Sequence, residues 1–113
     1  MGAQATFTWG SGDTTVGVWV QTSFDGGLNW CDVIGFANFA VASARAVAMA
    51  VQGNVAPVVN PSDGGGTTPF ANSLFGSWWR VKYIVAGAYV STTLRVDAFT
   101  NVGLVPAGVN AFN

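Results

Sequence analysis

Alanine occupies every even position from Ala40 to Ala50, while Val41, Ser43, Arg45, Val47 and Met49 stand between Phe39 and Val51 at the odd ones. Strict alternation is the period of a β-strand, whose successive side chains point to opposite faces. The alanine content alone also suits a helix over 37–51, which is the competing reading. A helix, however, gives no reason for alanines spaced two apart. As a strand the segment has one uniformly small face, as close packing against a second layer requires. The same period recurs along the chain. Val16, Val18 and Val20 alternate with Gly17, Trp19 and Gln21 in a strand over 14–23. Over 77–86, Trp79, Val81, Tyr83 and Val85 oppose Trp78, Arg80, Lys82 and Ile84. Over 91–100, Thr92, Leu94, Val96 and Ala98 oppose Thr93, Arg95, Asp97 and Phe99.

Turn chemistry separates these strands. Asp25-Gly26-Gly27 supplies positive-φ residues for a hairpin, and 29–36 reads as its returning strand, ended or bulged at Gly35. Residues 52–72 hold three of the four prolines and Gly64-Gly65-Gly66, and read as a long loop. Residues 1–13 read as an arm or a first strand. Residues 101–113 are apolar and uncharged, and read as an extended tail. A chain of 113 residues fits one domain, with enough burial for a core that needs no metal or disulfide. Short strands between Gly, Asn and Pro turns predict an all-β, antiparallel β-sandwich or jelly roll, with its core over 14–100.

Composition narrows the function classes. Charged residues are only 8% of the chain and the net charge is -1, against roughly 25% charged in an average soluble protein. A charge near zero favours association, so the chain reads as part of an assembly. It has no histidine, and no glutamate: its acids are Asp13, Asp25, Asp32, Asp63 and Asp97. No Ser-His or Cys-His pair is possible, so no enzyme is expected. One cysteine, Cys31, excludes an internal disulfide and, with no histidine, a zinc site. A calcium cage needs more oxygen donors than the glycine turns at Asp25 or Asp63 offer. Gly64-Gly65-Gly66 is followed by no lysine and no helix, so it does not read as a phosphate loop. Four cations, Arg45, Arg80, Lys82 and Arg95, are too few for a nucleic-acid footprint. No run is long and apolar enough for a membrane helix. No cofactor, metal, nucleic acid or membrane is therefore expected.

The stretch SFDGGLNW fits S-x-D-x-G-x-x-W, the Asp-box turn best known from sialidase propellers. A propeller needs several blades of about 40 residues, more than this chain holds. The motif therefore reads as a hairpin device: Ser23 and Asp25 hold the turn, Gly26 and Gly27 allow its dihedrals, and Trp30 folds back as a core plug. Arg80, Lys82 and Arg95 fall on the non-core parity of their strands, with Asp97, and are expected to form one charged strip. One of Trp78 and Trp79 is expected in the core, with Trp78 facing outward. Candidate partner contacts are Trp78, Arg80, Lys82 and Arg95, with Leu104, Val105 and Phe112 of the tail.

The order of four pieces carries a further expectation. A V-x-V-Q-T-S-x-D-G-G-x-x-W-x-D-V hairpin at 18–33 is followed by F-A-x-F at 36–39, R-V-K-Y-x-V-x-G at 80–87 and T-L-x-V-D-A at 93–98. Together they resemble small structural proteins of tailed-bacteriophage virions over roughly 14–100. The resemblance implies a non-enzymatic role, with no catalytic residues to carry over. It implies a capsid decoration or cement protein on the virion exterior, made in the host cytoplasm. Its partners would be copies of itself, as a trimer or other homo-oligomer, and the major capsid protein or other virion subunits. A tail or neck subunit is the close alternative. A carbohydrate-binding sandwich module, supported by exposed tryptophan, is the second.

Overall fold

A computed structural model of the protein describes residues 1–12, 14–51, 62–65, 68–71 and 74–99. These residues form nine strands and no helix: β1 (Gly2–Thr8), β2 (Ser11–Gly12), β3 (Thr15–Ser23), β4 (Cys31–Gly35), β5 (Ala44–Met49), β6 (Phe70–Ala71), β7 (Trp78–Ala86), β8 (Tyr89–Val90) and β9 (Thr93–Phe99). The strands make three antiparallel sheets, in the orders β5-β1-β9, β2-β8 and β6-β4-β3-β7. The all-β, antiparallel class expected from the alternation is the class observed.

The core lies where the two larger sheets meet. Ala3, Ala5 and Phe7 of β1 and Leu94 and Val96 of β9 share one buried cluster with Val16, Val18 and Val20 of β3 and Val33 and Ile34 of β4. Phe36 and Phe39 close it, with the Phe39 ring stacked on Phe7 at 5.2 Å. β1, with Ala3 and Ala5 fully buried, pairs with β5 on one side and β9 on the other.

In the β3–β4 hairpin the pairing steps from Val20↔Ile34 to Gln21↔Asp32. Val33 is the extra residue of this bulge, and Gly35 merely ends the strand. A bulge breaks strict alternation, so Val33 and Ile34 are both fully buried. Asp32 is thereby aligned with Gln21 on the outer face of the sheet.

Segment 39–51 is extended, which decides against the helix, but its regular strand covers only Ala44–Met49. Its alanine side is the inner one: Ala46 and Ala48 pack against the core, while Val47 and Met49 are 66% and 63% exposed. The expected loop over 52–72 contains a short strand, β6, which pairs with β4. Residues 52–61, 66–67 and 72 of that loop, and the tail 101–113 with Leu104, Val105 and Phe112, lie outside the described residues.

Two expectations on side-chain placement are corrected by the strand order. β9 pairs with β1 and not with β7, so Arg95 and Asp97 belong to the other sheet from Arg80 and Lys82. No single charged strip forms. Trp79 is not a core residue: it lies near the start of β7, the outermost strand of its sheet. Trp79 is 37% exposed and meets Phe75 edge to face at 5.2 Å. Trp78 faces outward as expected, at 56% exposed.

Candidate interaction surface

The β3–β4 turn is built by the side chains the motif supplies. Ser23 Oγ accepts from the Gly27 amide at 2.9 Å and donates to Asp25 Oδ1 at 2.8 Å. Asp25 in turn accepts from the Asn29 amide at 2.9 Å and from Asn29 Nδ2 at 2.6 Å. Gly26 and Gly27 hold φ of 72° and 93°, a region closed to most side chains. The bonds from Asn29, and then the one from Ser23, hold the Asp25 carboxyl at a pKa of about 2. Asn29 was missed by the sequence reading, although an amide four residues beyond an Asx-type turn is the signal that points to it.

Trp30 is not the core plug expected. It is half-buried on the outer face. Its Nε1 donates to Gly27 O at 3.1 Å, and the Arg80 guanidinium lies 4.4 Å from its ring centroid. The bulge explains this position. Trp30 precedes β4 on the side that carries Asp32, away from the inward Val33 and Ile34.

Beside Trp30 lies a polar latch that joins three distant parts of the chain. Gln21, fully buried, donates through Nε2 to Asp32 Oδ1 and Asp63 Oδ1, both at 2.7 Å. Its Oε1 accepts from Arg80 Nε at 2.7 Å. Asp63 Oδ1 also pairs with Arg80 at 3.2 Å and Lys82 at 3.0 Å. Asp32 holds the 62–65 turn from beneath, accepting from Ser62 Oγ at 2.9 Å and the Gly64 amide at 2.7 Å. The Gln21 bond, followed by Lys82 and Arg80, lowers the Asp63 pKa against its partial desolvation. Arg80 and Lys82 are therefore tied into the protein's own structure, with 37% and 32% of their side chains still exposed. The Gly64 amide, which an anion would need, is held by a carboxylate.

No catalytic geometry emerges among the described residues. Asp25, Asp32 and Asp63 are each committed to bonds that hold backbone or neighbouring side chains. Burial, and then the charges of Asp25, Asp32 and Asp63, push the Cys31 thiol up, so the thiolate is disfavoured. No group of three or more metal-ligating side chains occurs among the described residues. Arg95 pairs with Asp97 on the same strand at 3.0 Å and is largely exposed.

What the fold does present is apolar surface on β7. Trp78, Trp79, Tyr83, Ile84 and Val85 are between 37% and 56% exposed, on both faces of one strand. Trp78 approaches Gly27 and Trp30 on the latch side: a Cβ placed on Gly27 would lie 3.5 Å from the Trp30 ring and 3.9 Å from that of Trp78. On the other side Tyr83 and Val85 border an open cleft of about 250 Å³ that also reaches Phe7, Tyr89 and Leu94. The surface is thus one aromatic strand, with a rigid hairpin at one end and a cleft beside it. Comparison of the chain with protein-family models, with curated proteins and with solved structures finds no match.

Proposed function

We propose that the protein is a non-enzymatic structural subunit that works by covering, and being covered by, other protein surfaces. The observation that carries this reading is β7. A nine-residue strand with two tryptophans, a tyrosine, an isoleucine and a valine exposed is costly to leave in water. Tryptophan and tyrosine are also the residues that most often anchor protein interfaces. A chain with only 8% charged residues has little else to keep it apart from neighbours. With the resemblance of the hairpin and the two later strands, the specific form of the proposal is a decoration protein on the capsid of a tailed phage. It would bind as a homo-oligomer to the major capsid lattice.

The test uses phage heads assembled without the protein. Purified chain is added, and bound mass and the temperature of DNA release are measured. Wild-type chain is expected to bind at fixed stoichiometry and raise that temperature. Trp78→Ala is expected to lower affinity by roughly tenfold or more, as loss of a tryptophan anchor does. Binding to tails or necks and not to heads would replace decoration by the tail reading. A glycan-array signal that Trp78→Ala abolishes, without binding to any virion part, would favour the carbohydrate reading, for which the neighbouring Trp30 and Trp78 rings are the supporting observation.

A further inference from the structure

The outer strands of the two larger sheets are β5, β9, β6 and β7. An outer strand is a template for pairing with another chain, and monomeric proteins blunt it with charge, proline, bulges or shortness. Three of the four are blunted in this way. β9 carries the Arg95–Asp97 pair on its outward face. β7 carries Arg80 and Lys82 in its middle. β6 is two residues long. β5 has none of these devices at its centre. It pairs with β1 over six residues without a bulge, contains no proline, and has one charge, Arg45, near one end. Its outward face instead shows Val47 and Met49, 66% and 63% exposed, flanked by Val41 and Val51 at 53% and 57%. Among the described residues no strand pairs with its other edge.

We propose that β5 pairs antiparallel with β5 of a second copy of this chain, across a two-fold axis at Val47. The proposal rests on the reading of the chain as an oligomeric subunit and names its self-contact. Residues directly opposite in an antiparallel pair lie on the same face, so a two-fold axis between identical strands must pass through a residue. An axis at Arg45 sets the two arginines against each other. An axis at Ala46 leaves Met49 beyond the paired region, and one at Ala48 pairs only three strand residues on each side. The axis at Val47 places Val47 against Val47, Ala46 against Ala48, and Met49 against the aliphatic stem of Arg45. It gives each of the two exposed side chains an apolar cross-strand neighbour on the same face and opposes no like charges. The alternation of Ala with larger residues then has a reason on both faces: alanine toward the shared layer beneath, Val and Met toward each other above. Backbone pairing over five residues is small against the roughly 800 Å² per partner of a stable interface. Val41 and Val51 lengthen the apolar strip in both directions.

Light scattering on the purified full chain, at micromolar concentration, reads the prediction directly. The expected mass is an even multiple of the 11.7 kDa chain, with the dimer as the smallest unit. Val47→Lys sets two ammonium groups face to face and is expected to release the 11.7 kDa monomer, with far-UV circular dichroism unchanged. Leu28→Lys, on the 82% exposed hairpin tip, is expected to leave the mass as in wild type. Should Val47→Lys misfold, Val47→Cys in a Cys31→Ser background decides: a short bifunctional maleimide is expected to link two chains. A wild-type monomer, a trimer, a mass that Val47→Lys leaves unchanged, or a dimer that Val47→Cys does not cross-link would each overturn the proposal. A monomer that still decorates phage heads overturns this pairing alone. A Val47-dependent dimer that binds no virion part overturns the function reading alone.

Discussion

Replacing Trp30 by alanine tests the outward placement of that ring most directly. A core tryptophan costs about 3–5 kcal/mol on truncation to alanine. Trp30 instead has three definable contributions. Its Nε1–H···O=C bond to Gly27 contributes about 0.5–1.5 kcal/mol. The Arg80 guanidinium over its face contributes about 0.5–1 kcal/mol at a site this open. The ring covers the Gly27 backbone and Arg80 rather than core, which adds about 1 kcal/mol of apolar burial. The expected loss is about 2–3.5 kcal/mol, or roughly 10 °C in melting temperature for a domain of this size. Urea denaturation followed by far-UV circular dichroism measures it without relying on the fluorescence of the residue removed. Magnitude alone overlaps the low end of core behaviour, so the decisive quantity is the coupling to Arg80. A double-mutant cycle of Trp30→Ala with Arg80→Ala should give a coupling of about 0.5–1 kcal/mol. Zero coupling, or a single-mutant loss above about 4 kcal/mol, would refute the outward placement of Trp30 against Arg80.

Two further outcomes follow from the hairpin and its flank. Asp25 has its pKa lowered to about 2 by bonds from Asn29 and Ser23. The stabilisation it gives the turn is therefore present above the ordinary carboxylate pKa and is lost as pH falls from about 4 towards 2. Amide exchange at Gly27 and Asn29, after correction for intrinsic rates, should show loss of protection in that window, and Asp25→Ala should abolish the pH dependence. Gly76→Ala should destabilise the domain by about 1–3 kcal/mol or more. A Cβ there would lie 2.3 Å from the Ser23 carbonyl oxygen, a backbone atom fixed by its bond from the Ser77 amide. Unchanged urea midpoints for this variant would show that the 74–77 segment does not pack as described.

Local chemistry made part of this protein legible from its residues alone. Alternation of period two predicts strands wherever it is sustained, because side-chain direction along a strand depends on nothing beyond the backbone. The SFDGGLNW turn is equally local: Ser23, Asp25, Gly26 and Gly27 act on atoms no more than four residues away, and the structure uses them as their chemistry suggests. What alternation leaves open is which parity faces the core when both are apolar. In 39–51 the uniformly small alanine face is the one that close packing favours, and the pairing of β5 with β1 sets it inward and leaves Val47 and Met49 outside. Trp79 and Trp30 were misplaced for a related reason. Their burial depends on β7 standing outermost in its sheet and on a one-residue bulge at Val33, neither of which leaves a mark on the residues themselves. The Gln21–Asp32–Asp63–Arg80 latch joins residues up to 59 apart, and Arg95 was separated from Arg80 by the choice of β1 as the partner of β9. Strand formation and turn geometry are decided within a few residues. Sheet order is decided by which whole faces bury the most together, and for this chain that choice set the surface left to a partner.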